Sequence, residues 1–216
     1  MGSTGVWVIG ALPGQEAAAL PGRFVHLVTA DDFRKPAGYA ETLAWWRRDC
    51  DGEALLAPDA RHPAVLLPTA AGIRFADFVH GANSETAATE AMRDASLALM
   101  AGSGLDGMCT LAARKASPAA ALLYALGVDS AALLPGWFGD FLLTADEVRA
   151  ALPCAEQALR LDGERRADVL HRIAEWMTGM GDDPEFVAGD LLDAPLRVLH
   201  RAAGAGLGVS AFTRWY

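Results

Sequence analysis

Lysine is nearly absent from this chain: Lys35 and Lys115 stand against 16 arginines among its 18 basic residues. Acidic residues number 27, so the formal net charge is −9. That balance argues against nonspecific nucleic-acid binding, which needs a positive footprint. The Ala-, Gly- and Arg-rich, Lys-poor composition reads as GC-rich bacterial coding rather than phosphate recognition. Cysteine is also scarce, and Cys50, Cys109 and Cys154 form no CxxC pair and no Cys/His cluster of zinc-like spacing. The expectation is therefore no metal and no disulfide framework, with reduced thiols in a cytoplasmic protein. No basic segment precedes an apolar run at the N-terminus, which argues against a signal peptide. Nowhere do about 18 apolar residues follow one another without a charge or helix breaker, so no membrane span is expected. G-x-S-x-G, H-E-x-x-H and the Walker G-K-[ST] are all missing.

What is present is apolar material. Hydrophobic residues make up 52% of the 216 positions, much of them alanine. A chain of this length buries roughly 70% of its unfolded surface, and such hydrophobicity disfavours disorder. The pattern predicts an α+β fold: a mixed sheet from the N-terminal third, with a further C-terminal strand, packed on a helical C-terminal layer. One domain over 1–216 is expected, with Gly102–Gly107 (GSGLDG) as the place for a subdomain seam.

Strands are predicted at Val6–Ile9, Phe24–Thr29, Ala64–Leu67 and Ile73–Val79, the last from its alternation. Tyr39–Cys50 has helical spacing. Further helices are predicted from Asn83 or Ser84 to Gly102, from Ser117 to Gly127, from Thr144 onward and from Glu164 to Met177. Ser117 reads as an N-cap with Pro118 at the first helical position. Thr144 and Glu147 fit the S/T-x-x-E capping box, with Leu143 and Val148 as its staple. Pro153 is a point for a kink. Asp193 reads as the cap of a last helix with Pro195 in its first turn, before the strand LGVSAFTRWY.

Four stretches invite a chemical reading. In GVWVIGALPGQEAA, Gly10 and Gly14 resemble part of a dinucleotide fingerprint, with Asp31 at the distance of a ribose-binding acid. Leu12 fills the middle glycine position and Pro13 removes a donor, so the stretch reads as a Gly/Pro turn and no cofactor is implied. In FADFVHGANSE, a strand ending near Val79 would leave His80 in a loop before a helix, oriented by Asp77. Asn83, Ser84 and Glu85 would face a ligand beside free backbone N–H groups there. RRDCDGE has the start of a calcium loop, but its twelfth position is Ala60. GDDPEF reads as carboxylates at a helix start.

The fourth stretch is aromatic. Trp45 and Trp46 are adjacent and cannot share a helix face, so one points away from the core. LLPGWFGDFLL is rich in apolar residues for a loop, and Trp137 and Phe138 suit a ligand pocket or partner surface. The leading expectation is a soluble protein that binds a partner protein or small molecule without conventional catalytic motifs. An acidic inhibitor, an immunity-like protein or an accessory protein would fit. The alternatives are a small enzyme using His80 and Asp77, and an assembly subunit using its aromatic surface.

Overall fold

From Val6 to Leu12 every residue is apolar or glycine because both faces of this strand are covered. The computed structural model describes residues 4–23, 44, 46–50, 54–82, 87–102, 107–136, 139–182 and 187–216. Strand β1 (Gly5–Leu12) pairs antiparallel with β4 (Met108–Ala113) on one side and with β6 (Gly208–Trp215) on the other. The short β5 (Phe141–Leu143) joins the far edge of β6, giving the order β4-β1-β6-β5. A separate hairpin pairs β2 (Leu56–Pro58) with β3 (Leu66–Pro68).

The strand period of two sorts the side chains. Trp7, Ile9 and Ala11 join a core built with α4 (Pro118–Ala131), α5 (Ala145–Leu159), α6 (Gly163–Gly179) and α7 (Ala188–Ala205). Val8 and Leu12 join the opposite core, with Leu20 of α1 (Gly14–Arg23) and Met92 and Met100 of α3 (Ala87–Gly102). The fold is α+β, as the sequence predicts. Its main sheet is antiparallel throughout rather than mixed, draws strands from along the chain, and carries helices on both faces.

Gly10 belongs to the strand rather than to a turn. A Cβ there would lie 2.6 Å from the Met100 sulfur and 2.7 Å from its Cγ, so the glycine lets α3 approach the sheet. The chain turns instead at Pro13, whose carbonyl accepts from Ala17 at 2.9 Å.

Ile73–Val79 is helical, part of α2 (Ala70–Ala82), not a strand. Ala71, Phe75 and Val79 are buried at a spacing of four, while Ile73 stands 54% exposed. The helical period prevails because Thr69 starts the turn: its hydroxyl accepts from Gly72 N at 3.1 Å. The strand predicted at Ala64–Leu67 lies instead at Leu66–Pro68, and Leu67 is 43% exposed.

Ser117 caps α4 by accepting from Ala120 N, and Pro118 is its first residue. That helix kinks at Gly127, where φ is 74°, and continues to Ala131. Both halves of the Thr144–Glu147 capping box are present, and α5 runs through Pro153 without dividing. In α6, Val169, Ile173, Trp176 and Met177 are buried, and Ala174 is exposed.

Asp193 is not a cap. It lies inside α7, which begins at Ala188, and its carboxylate takes both terminal nitrogens of Arg166 at 3.0 and 2.7 Å. Pro195 is likewise buried in the helix interior. Phe24–Thr29, half of Tyr39–Cys50 and residues 103–106 of the seam lie outside the described residues. Within the second stretch, Trp46–Cys50 forms a π-helical turn. No helix among the described residues is long and apolar enough to cross a membrane.

Candidate functional site

The stretch LLPGWFGDFLL supplies one wall of an apolar cavity of about 20 Å³. Leu134, Pro135, Gly139 and Phe141 come from it. Trp7 enters from β1, Leu122 and Leu123 from α4, Leu159 from α5, and Pro195 and Leu199 from α7. Counted out to where it opens on solvent, the empty space is about 390 Å³. The enclosed part holds a single water-sized group.

Trp7 ties this wall to the sheet. Its indole reaches past β6, and Nε1 donates to the Gly139 carbonyl at 2.8 Å. Gly139 has φ of 95°, and a Cβ there would sit 2.7 Å from Ala119 Cβ and 3.1 Å from Trp7 Nε1. The left-handed backbone and the crowding both demand glycine. With its one polar edge satisfied, Trp7 offers the cavity only ring surface.

Asp140 follows immediately and faces the other side of the sheet. Arg93 of α3 donates from Nη2 to its Oδ2 at 3.2 Å, and Thr213 N donates to its Oδ1 at 2.8 Å. Arg93 is 2% exposed and Asp140 6%. Burial pushes the Asp140 carboxyl up to about 7, although Arg93 and the Thr213 N–H draw it down. Arg93 also donates from Nη1 to Glu90 at 2.6 Å. Glu90 takes Arg214 of β6 at 2.7 Å, and Arg214 holds Asp94 at 2.6 Å. This network fastens α3 to the β5–β6 edge.

The Thr213 hydroxyl oxygen is buried with no hydrogen-bond partner among the described residues, and Thr213 lies opposite Trp7 in the β1–β6 register.

A second constellation joins α2, α4, α6 and the π-helical turn. Trp46 and Phe75 meet at a tilt with centroids 5.0 Å apart, Phe75 meets Trp176 edge-on at 5.4 Å, and Tyr124 lies 5.0 Å from Trp176. Arg172 caps this row over the Tyr124 ring. These aromatics pack the core.

The predicted sites fare differently. Asp77 and His80 lie three residues apart on α2, not in a loop after a strand, so that arrangement is corrected. Asn83, Ser84, Glu85, Trp45, Trp137 and Phe138 lie outside the described residues. Trp137 and Phe138 fall in sequence between the lining residues Pro135 and Gly139.

Of the GDDPEF carboxylates, Asp182 is described, and it accepts from the successive N–H groups of Arg114, Lys115 and Ala116 at 3.0 to 3.1 Å. It organises the loop before α4 rather than starting a helix. Among the described residues no three of His, Cys, Asp and Glu converge as a metal site requires. Cys109 is half-buried, and that burial pushes its thiol pKa up.

Sequence reasoning missed Arg93 and Asp140. Only the tertiary pairing reveals them. Comparison with family models, curated proteins and solved structures gives no match.

Proposed function

We propose that this protein is a binding protein whose apolar cavity receives the end of an alkyl or aryl group on a small molecule. One observation carries the reading: the lining is hydrocarbon, and Trp7 Nε1, the polar edge at hand, is already bonded to Gly139 O. Such a surface selects by shape and apolar area, without polar groups to orient a headgroup or perform acid–base work. The volume restricts the enclosed portion to a terminal group, so the rest of the ligand lies toward the open side.

The test is methyl NMR of the protein titrated with straight-chain alcohols from butanol upward. Saturable shifts are expected at Leu122, Leu123 and Leu199, and not at Leu20 on the opposite face of the sheet. Affinity should rise with chain length, by less than the fourfold per methylene that full burial of each CH₂, roughly 0.8 kcal/mol, would give. Leu123→Phe, which fills the cavity, should abolish those shifts. Absence of saturation at the three leucines, or equal shifts at Leu20, would overturn the reading.

A further inference from the structure

We propose that the outer edge of β4 pairs with the same edge of a second copy of this chain, antiparallel about Thr110, so that two chains share one continuous sheet. The pairing stands apart from the apolar cavity and does not rest on it.

Which groups face outward follows from the sheet's own bonds. Thr4 and Tyr216 exchange N–H···O bonds at 2.8 and 3.0 Å, and the pairing runs unbroken from there to Leu12 and Gly208. Hydrogen-bonding groups alternate between the two sides of a strand, so even-numbered residues of β1 bond β6 and odd-numbered ones bond β4. In β4 the inward groups therefore belong to Cys109, Leu111 and Ala113, opposite Ile9, Trp7 and Gly5. Met108, Thr110 and Ala112 turn their N–H and C=O groups outward, where no strand among the described residues meets them. Thr110 and Ala112 are exposed, and Met108 is half-buried.

The other sheet edges among the described residues carry the usual protections. Strand β5 offers only three residues. In the β2–β3 hairpin, Asp59 N donates to Val65 O and Thr69 N to Leu55 O, which leaves Pro58 and Pro68 at outward positions without an N–H. Strand β4, MCTLAA, is six residues long and has neither proline nor charge.

A second copy fits as the occupant because the outward groups are symmetric about Thr110. A two-fold axis there bonds Thr110 to its own counterpart and Met108 to Ala112 of the other copy, with none left over. The ladder stops at Ala112, since the next outward N–H, that of Arg114, already donates to Asp182 Oδ1 at 3.1 Å. Charge agrees as well. Asp190 and Arg197, both exposed on α7, lie close enough to Cys109 to act on it with opposite sign. The two-fold reverses the edge, turning the acid of one copy toward the base of the other.

Sedimentation velocity of the full chain over a concentration series tests the pairing. The native protein should pass from monomer to dimer mass as concentration rises. Thr110→Pro spares the β1–β4 ladder, because the lost N–H faces outward, and should weaken association about thirtyfold as each copy forfeits one donor. Should Thr110→Pro not fold, the exposed side chain supplies a second measure. Thr110→Lys and Thr110→Glu should each associate more weakly than the native chain. Their equimolar mixture should associate more tightly than either alone, because this register sets position 110 against itself.

A native chain that stays monomeric to about 1 mM, or a dimer indifferent to all three substitutions, would overturn the pairing. Slow amide exchange at Met108, Thr110 and Ala112 in a monomer would overturn it too, since the chain would then cover its own edge.

Discussion

Asp140 and Arg93, 47 residues apart, form an ion pair with both side chains almost completely withdrawn from solvent. Together with the Arg214 contacts to Glu90 and Asp94, the pair ties α3 to the β5–β6 edge of the sheet. A buried pair of this kind gains little over an apolar one, but breaking it by removing one partner is costly.

Arg93→Leu should therefore destabilise the protein by about 3–5 kcal/mol above pH 7, where Asp140 is ionised and is left without its cation. Combining it with Asp140→Asn should cost less than the sum of the two single changes. Urea denaturation of the four proteins in this cycle gives the coupling, and strict additivity would show the pair to be energetically idle.

Stability should also depend on pH through Asp140. Its unfolded value is the ordinary 3.8 and its folded value about 7, so across that window the folded state binds the additional proton. Stability from this group is present below the unfolded value and is lost as pH rises through the folded one. The slope should not exceed about 1.4 kcal/mol per pH unit. Chemical denaturation from acid to neutral pH should show this decline in the native protein relative to Asp140→Asn, and parallel curves would contradict it.

Gly10→Ala should lower stability by about 1–3 kcal/mol, the usual cost of overpacking. The new Cβ meets the Met100 sulfur at 2.6 Å. Met100→Ala in the same chain should recover part of the loss, since it removes the obstructing atoms. Melting temperatures of the single and double variants provide the check, and rescue is the informative outcome.

Asp182→Ala should cost about 1–2 kcal/mol, comparable to loss of a helix cap, because three successive N–H groups lose one acceptor. Asp182→Asn should fall between, keeping one carbonyl oxygen. Amide exchange at residues 114–116 should quicken in Asp182→Ala while that of β1 stays unchanged; uniform quickening would mean the effect is global.

Local signals were legible where a few neighbouring residues settle the outcome. Thr144 with Glu147, and Ser117 with Pro118, satisfy helix N–H groups within three or four positions, so the caps appear in the structure as predicted. Asp193 with Pro195 carries the same signature and is not a cap. There the partner is Arg166 on another helix, and burial of Pro195 against the core outweighs the local preference. Ile73–Val79 satisfies two periods at once, and only the packing of Phe75 and Val79 selects the helical one.

The cavity was half legible. LLPGWFGDFLL stands out as an apolar loop, and four of its residues line the space. Its other walls come from β1, α4, α5 and α7, whose convergence no spacing along the chain encodes.

The sequence by itself determined the α+β class, the first and last strands and the caps of α4 and α5, because these depend on short-range periodicity and hydrogen bonding. Tertiary structure alone decided that both faces of the sheet are covered, that Gly10 admits Met100, and that Asp140 meets Arg93. Those outcomes depend on which surfaces exclude water together, and burial of that kind belongs to the assembled layers rather than to any segment.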